Sequence, residues 1–141
     1  MKFNLIIIVV MLSFANVTYA KNPGGGIPKG EVNKGLRYES AILRYDVHYS
    51  IYLPPDYAIS GKRYPVLYLL HGFTGDNKSW IKQGEINKIM DAGIAKGEIE
   101  PMIIIIPDGK YYWYINDYQN KVRYEDFIFR EFLPYIDNTY R

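Results

Sequence analysis

The sequence predicts an α/β fold, in which a parallel sheet with crossover helices carries antiparallel strands at one edge. Two continuous apolar runs, residues 66–70 and 102–106, are typical of parallel strands that are buried on both faces. A segment with helical periodicity lies between these runs, and another follows the second run. This order of strand, helix, strand and helix favours a parallel sheet with right-handed crossovers.

The N-terminus fits a secretory signal peptide. Lys2 supplies a positive charge, residues 5–14 are almost entirely apolar, and Thr18-Tyr19-Ala20 offers small residues before a cleavage site. A membrane-spanning helix needs roughly 20 apolar residues, so this stretch is too short for an anchor. We therefore expect residues 1–20 to be removed after Ala20, and the mature chain to be secreted or periplasmic without stable membrane insertion.

The composition excludes several functional classes. The chain has 17 basic and 15 acidic residues, so its net charge of +2 gives no electrostatic basis for binding nucleic acid. It has no cysteine, which excludes a disulfide scaffold and thiol catalysis. Its two histidines, His48 and His71, are too few for a zinc site, which needs three or four converging ligands. We expect neither a metal nor an organic cofactor.

The first part of the mature chain is predicted to be a linker followed by two strands. Residues 21–34 are rich in glycine and proline, and residues 35–141 are predicted to form one domain. The first strand is predicted at 35–42 and the second at 45–53. The second alternates between an apolar and a polar face, which is typical of an outer antiparallel strand. Its polar face carries Asp46, His48, Ser50 and Tyr52.

The rest of the domain is predicted to alternate between strands and helices. A buried strand at 66–70 is followed by a helix at 85–96, which Gly97 ends. A second buried strand at 102–106 contains four consecutive isoleucines and ends at Pro107. A second helix is predicted at 124–138, where Pro134 should produce a kink or mark the last turn.

The junction after the first buried strand is the most informative motif. Residues 64–76 read YPVLYLLHGFTGD, an apolar strand that ends abruptly in His71-Gly72-Phe73. From Tyr45 onward the chain resembles the N-terminal half of the esterase D-type α/β-hydrolases, which include secreted feruloyl and acetylxylan esterases. The segments that carry this resemblance are VHYSIYLPPDY, RYPVLYLLHGFTGDNKSW, NKIMDAGIAKGEIEPMIIIIPDG and YEDFIFREFLPYIDNTYR.

The resemblance implies a partial α/β-hydrolase fold, truncated before the nucleophile elbow. It places one donor of the oxyanion hole on the backbone N–H of Phe73. The nucleophilic serine, the acid and the catalytic histidine would all follow Arg141, because the chain contains no G-x-S-x-G motif. His71 is therefore expected to shape the loop and not to act as the general base. We expect the chain on its own to be inactive.

Aromatic residues after the second buried strand are the substrate-binding candidates. Trp113, Tyr114 and Asp117 follow the carboxyl end of that strand, where ligands bind in open α/β sheets, and aromatic planes suit sugars or a feruloyl ring. The segment could equally be a Tyr-rich surface loop. Trp80 flanks the predicted oxyanion loop, where it could line a cleft, although packing is the slightly favoured role.

The resemblance indicates a fragment of a secreted serine esterase. Its expected substrates are feruloyl or acetyl esters of carbohydrate, as in plant xylan, or small esters. One alternative is a non-catalytic secreted module that binds carbohydrate through its aromatic loop. Another is an acyltransferase or peptidase on the same fold, because a fold does not determine a reaction.

Overall fold

The computed structural model describes residues 26–141, so the predicted signal peptide at 1–20 lies outside the described residues. The strands are β1 (Glu31–Ser40), β2 (Tyr45–Leu53), β3 (Val66–Tyr68) and β4 (Ile103–Pro107). They form one sheet in the order β1-β2-β4-β3. Strand β2 is antiparallel to both β1 and β4, whereas β3 is parallel to β4. The predicted α/β architecture is therefore confirmed.

The helices of the described residues are α1 (Tyr57–Ser60), α2 (Ser79–Lys82), α3 (Ile86–Lys96), α4 (Tyr124–Phe127) and α5 (Leu133–Thr139). A π-helical segment (Ile128–Phe132) joins α4 to α5. Helix α3 and the stretch formed by α4, the π-helical segment and α5 are the two long helical parts of the structure, and the other helices have four residues each. Helix α3 and the continuous helical stretch from α4 to α5 agree with the two predicted helices. No helix within residues 26–141 is both long and apolar enough to cross a membrane.

The first strand begins earlier than the sequence suggested. Strand β1 starts at Glu31, within the predicted linker at 21–34, and pairs with β2 from Glu31↔Leu53 to Ser40↔Tyr45. The Gly30 N–H donates a hydrogen bond of 2.8 Å to Oδ1 of Asp91 in α3, which holds the start of the strand against that helix. The register shifts between Asn33 and Leu36, where Gly35 has a φ of 72°, a left-handed value that suits glycine.

The prediction that β2 is an outer strand with one polar face is wrong. The strand pairs on both sides, and Ser50 and Tyr52 of the predicted polar face are fully buried. Tyr52 is buried because its ring joins the cluster around α3 and its hydroxyl donates to Asp91 at 2.9 Å. Asp46 and His48 are exposed, as expected. Alternation along a strand does not show whether a helix covers its polar-looking face.

The prediction of a buried strand at 66–70 is also wrong in part. Strand β3 ends at Tyr68, and Leu67 and Leu70 are 40% and 48% exposed. Within residues 26–141, β3 pairs only with β4, so its other edge has no backbone partner there. The prediction for the second strand is confirmed, because every residue of β4 is buried.

The core consists of two layers, one on each face of β4. Its isoleucines alternate, so Ile103 and Ile105 face one layer while Ile104 and Ile106 face the other. The first layer contains the aromatic side of the α4–α5 stretch, and the second contains α3. Members of the first layer include Val47, Tyr49, Ile51, Phe127, Phe132 and Ile136; members of the second include Tyr52, Ile81, Met90 and Ile94.

The structure has a local change in helix type before Pro134, where the sequence predicted a kink or the last turn of the helix. Pro134 lies in the first turn of α5, directly after the π-helical segment. Proline donates no backbone hydrogen bond, and its ring clashes with the carbonyl four residues earlier. A π-turn widens the helix at that point and relieves the clash. The stretch therefore continues through the proline and keeps Phe127, Phe132 and Ile136 on its buried side.

Candidate active site

Two loops meet at the carboxyl ends of β3 and β4. The predicted oxyanion loop, residues 71–76, follows β3, and the aromatic loop, residues 108–118, follows β4. Between them lies an open pocket of about 90 Å³. Its lining residues are Leu70, His71, Gly72, Phe73, Lys110, Tyr111, Trp113 and Tyr114. The pocket is at the sheet edge where open α/β sheets bind their ligands.

His71 anchors the oxyanion loop through both nitrogens of its buried ring. Nε2 accepts a hydrogen bond of 2.9 Å from the Gly109 N–H, so the proton of the neutral ring lies on Nδ1. Nδ1 then donates to the carbonyl of Gly72 at 2.8 Å. Neither nitrogen is free to take a proton from a substrate. This geometry supports the interpretation that His71 shapes the loop and is not the general base.

The orientation of the Phe73 amide follows from the Gly72 carbonyl. That carbonyl accepts from His71 and also from the Gly75 N–H at 2.9 Å, which closes a turn over residues 72–75. In a trans peptide the carbonyl and the next N–H point in opposite directions. Because the Gly72 carbonyl points toward the His71 ring and the Gly75 N–H, the Phe73 N–H points away from both. Among residues 26–141 the Phe73 N–H finds no acceptor, as an oxyanion donor requires.

The far end of the oxyanion loop is held by Asp76 and Ser79. The Asp76 carboxylate accepts from the Lys78 N–H at 2.8 Å and from the Ser79 hydroxyl at 3.2 Å. The Ser79 hydroxyl also accepts from the Asp76 N–H at 2.9 Å. Desolvation opposes ionisation of Asp76, but these hydrogen bonds outweigh it and lower the pKa of its carboxyl. The loop is thus fixed at both ends.

An aromatic wall, formed by Phe73, Tyr111 and Trp113, stands beside the pocket. The Phe73 ring is nearly parallel to that of Trp113, with an interplanar angle of 20° and centroids 5.9 Å apart. The Tyr111 ring lies 5.4 Å from the Phe73 ring. All three side chains are more than half exposed. Exposed aromatic faces beside a pocket offer a stacking surface for a planar or cyclic ligand.

Tyr114 joins the aromatic loop to the oxyanion loop. Trp113 and Tyr114 have φ values of 54° and 60°, left-handed conformations that turn the Tyr114 ring back over the sheet edge. Its hydroxyl accepts from the His71 N–H at 3.0 Å and donates to the Pro107 carbonyl at 3.3 Å. Burial raises the pKa of Tyr114 to about 12, so the hydroxyl keeps its proton at neutral pH.

The residues predicted as substrate contacts divide into two groups. Trp113 and Tyr114 line the pocket, whereas Trp80 and Asp117 do not. Trp80 donates its indole N–H to the Leu70 carbonyl at 2.9 Å, which agrees with the packing role favoured above. Nothing in the structure tests direct contact with a substrate, so for all four residues it stays a prediction.

Asp117 uses its carboxylate within its own loop. It accepts hydrogen bonds from three backbone N–H groups, those of Gln119, Lys121 and Val122. Desolvation opposes ionisation of Asp117, but these N–H groups outweigh it and lower the pKa of the carboxyl. The arrangement gives Asp117 a loop-forming role, which the sequence did not suggest.

Sequence reasoning missed Gly109 and the pocket residue Leu70. The Gly109 N–H binds His71, and the Tyr114 ring lies against its α-carbon. The run Pro107-Asp108-Gly109 indicated only a turn. Leu70 was expected to lie in a buried strand. Within residues 26–141, no three side chains of His, Cys, Asp or Glu come together as metal ligands.

Replacing Gly109 with alanine is expected to destabilise the site. The added methyl group would lie 2.4 Å from Cζ of Tyr114, whose ring also packs against His71 and Tyr124. Such overpacking costs about 1–3 kcal/mol of unfolding free energy. Gly72→Ala is the matched control, because its added methyl group would meet no atom within 4 Å. Urea denaturation followed by circular dichroism measures both changes, and equal losses would contradict the assigned clash.

The family comparison agrees with this geometry. The model of the esterase family, described as "Putative esterase", matches residues 40–141. An endo-1,4-beta-xylanase/feruloyl esterase from Xylanibacter ruminicola is 37% identical over 102 residues, which cover 64% of this chain and 14% of that protein. Esterase Rv1288 from Mycobacterium tuberculosis is 32% identical over 109 residues, which cover 74% of this chain and 23% of that protein.

Solved structures show the same fold. A ferulic acid esterase superposes with a TM-score of 0.73 and 33% identity, covering 80% of this chain and 46% of its own. A second ferulic acid esterase, from Anaeromyces mucronatus, gives a TM-score of 0.62 at 22% identity. The S-formylglutathione hydrolase from Agrobacterium tumefaciens gives 0.64 at 14% identity. The last two likenesses concern the fold alone.

The chain spans less than half the length of the Xylanibacter ruminicola enzyme, of Esterase Rv1288 and of the first ferulic acid esterase. Its sheet is accordingly a partial α/β-hydrolase sheet. The family match covers most of the described residues and includes both loops of the pocket. On these grounds the chain belongs to the esterase family and represents the N-terminal part of a feruloyl esterase-like α/β-hydrolase.

Proposed function

We propose that this chain is the oxyanion-loop part of a secreted serine esterase that hydrolyses feruloyl or acetyl esters of carbohydrate. The observation that carries the proposal is the Phe73 N–H, which has no acceptor among the described residues and belongs to a pocket-lining residue beside an aromatic wall. An N–H of this kind can stabilise the negative charge that develops on the carbonyl oxygen in acyl transfer.

The proposed reaction needs a nucleophile, a general base and an acid, which in a longer protein would follow Arg141. A serine on a G-x-S-x-G turn would attack the ester carbonyl, assisted by a histidine and an acid. The Phe73 N–H and the amide after that serine would bind the oxyanion. Water would then hydrolyse the acyl-enzyme. The contribution of the present chain is to hold one donor in place before the substrate arrives.

The aromatic wall supports an aromatic acyl group or a sugar ring as the bound part of the substrate. Two of the relatives, which are 37% and 33% identical to this chain, are named feruloyl or ferulic acid esterases, and one of these names also includes a xylanase. Stacking on the Phe73 and Trp113 rings suits a feruloyl ring, and exposed Tyr111 can pack against a sugar. The match to an esterase family does not favour the alternative of a carbohydrate-binding module. Such a module would also have no need for a Phe73 N–H without an acceptor beside the pocket.

The proposed export rests on the N-terminal segment. N-terminal sequencing of the protein recovered outside the cytoplasm should begin at Lys21, directly after the predicted cleavage site. Recovery of an intact Met1 terminus in the cytoplasm would contradict export and leave the esterase proposal unaffected.

The catalytic proposal is tested with two proteins. The full-length gene product should contain G-x-S-x-G soon after Arg141 and hydrolyse methyl ferulate, and a serine-directed phosphonate should abolish this activity. Residues 21–141 alone should hydrolyse p-nitrophenyl acetate no faster than an equal mass of inert protein. Phosphonate-sensitive hydrolysis by residues 21–141 would contradict the proposal, since it would require a nucleophile in this chain.

A further inference from the structure

The ladder between β3 and β4 ends in an unusual way. The parallel pairing includes hydrogen bonds from the Ile103 N–H to the Pro65 carbonyl and from the Leu69 N–H to the Ile105 carbonyl, both 2.9 Å. Continuing this alternation would require Pro107 to donate to Leu69 and His71 to donate to Pro107. Proline has no N–H, so the first of these two bonds is impossible and the ladder stops.

The Tyr114 hydroxyl occupies the place of the second missing bond. It accepts a hydrogen bond from the His71 N–H at 3.0 Å and donates one to the Pro107 carbonyl at 3.3 Å. A side-chain hydroxyl thus lies between two backbone groups that would otherwise bond directly. His71 and Tyr114 both line the pocket between the two loops that follow these strands.

The position of Tyr114 is itself tightly determined. Its ring packs edge-on against Tyr124, with centroids 5.6 Å apart and an interplanar angle of 89°. The same ring also makes an edge-on contact with the His71 ring, with centroids 5.6 Å apart and an interplanar angle of 66°. Because Gly109 has no side chain, the ring can rest against its α-carbon. These contacts fix the hydroxyl in space before any substrate binds.

We propose that Tyr114 is a positioning residue for the oxyanion amide. Its hydroxyl bridges the His71 N–H and the Pro107 carbonyl, and so fixes the position of the His71 backbone relative to β4. The His71 ring in turn donates a hydrogen bond to the Gly72 carbonyl, and the direction of that carbonyl determines the direction of the Phe73 N–H. The assignment rests on the proposed esterase function, and it gives Tyr114 a role other than substrate contact. Without the hydroxyl, the His71 N–H would either bond directly to Pro107 or lose its acceptor, and each outcome moves the oxyanion loop.

The test uses Tyr114→Phe in the full-length protein, with Tyr112→Phe as the matched control. Tyr112 is a half-buried tyrosine of the same loop that packs near Tyr124, but its hydroxyl does not contact His71. We expect Tyr114→Phe to lower kcat for methyl ferulate about tenfold with KM changed less than twofold, a fraction of the roughly 10²–10³-fold loss caused by deleting an oxyanion donor. Tyr112→Phe should change neither constant more than twofold.

A second measurement does not depend on activity. With selective ¹⁵N labelling of phenylalanine and histidine, the unmodified protein should show a fast-exchanging Phe73 amide, a protected His71 amide and a proton on Nδ1 of His71. Tyr114→Phe should shift the Phe73 and His71 amide signals and speed exchange at His71, whereas Tyr112→Phe should shift neither.

The outcomes separate the two proposals. If the full-length protein hydrolyses no ester but the amide signals respond to Tyr114→Phe as expected, the esterase function fails and the positioning role stands. Unchanged Phe73 and His71 signals in a folded Tyr114→Phe protein would overturn the positioning role, as would equal kcat losses in the two variants. If Tyr114→Phe does not fold, the unmodified protein still provides a test. A slowly exchanging Phe73 amide there would overturn the positioning role, because it would show that this N–H already has an acceptor.

Discussion

Phe73→Pro is expected to lower kcat of the full-length esterase by roughly 10²–10³-fold, the loss typical of removing one oxyanion donor. Phe73→Leu should cost far less, because leucine keeps the backbone N–H and loses only the stacking with Trp113 and Tyr111. The two variants therefore separate the amide from the aromatic ring. The amide should control kcat, whereas the ring should mainly affect KM for aromatic esters.

Proline is a suitable probe because of where Phe73 lies. Phe73 is the second residue of the turn that the Gly75 N–H closes onto the Gly72 carbonyl, and proline is favoured at that position of common turns. Phe73 is also absent from the residues with positive φ, a region that proline cannot adopt. The substitution should therefore remove the donor while leaving the turn in place.

Steady-state kinetics with methyl ferulate and p-nitrophenyl acetate measure the two effects, and circular dichroism checks that each variant is folded. The acetate ester has no feruloyl ring, so Phe73→Leu should impair its hydrolysis less than that of the ferulate ester. Equal losses of kcat from proline and leucine in folded proteins would show that the ring matters and the amide does not.

Phe132→Ala should cost about 3–5 kcal/mol of unfolding free energy, as expected for a fully buried phenylalanine. The Phe132 side chain is fully buried, and its ring lies 5.3 to 5.9 Å from those of Tyr38, Tyr49 and Phe127. Removing it would leave a cavity between the sheet and the π-helical segment. The neighbouring rings cannot close this cavity without breaking their own packing.

Phe129→Ala is the matched control for this change. Phe129 lies in the same π-helical segment but is 65% exposed, so its replacement should change stability by no more than about 0.5 kcal/mol. Urea unfolding of the full-length protein, monitored by tyrosine and tryptophan fluorescence, gives both values. If Phe129→Ala proved as costly as Phe132→Ala, another part of the protein would have to cover the Phe129 face.

Much of the fold was predictable because local patterns reflect local environments. Four consecutive isoleucines require a strand that is apolar on both faces, and β4 lies between two core layers. The spacing of apolar residues predicted α3 and the α4–α5 stretch. The errors arose where burial depends on a partner distant in sequence. Tyr52 is buried because Asp91 and α3 cover it, and Leu67 is partly exposed on β3, which is an edge strand among residues 26–141.

By itself, the sequence determined the fold class, the order of its elements and the loop that carries the proposed oxyanion donor. These features depend on residue types and spacings that are close together in the chain. Only the tertiary structure decided how that donor is oriented. The His71 ring, the Gly109 N–H and the Tyr114 hydroxyl come from two loops that become neighbours only when β3 and β4 pair. Hydrogen bonds act over about 3 Å, so a contact of this kind exists only after the sheet has formed.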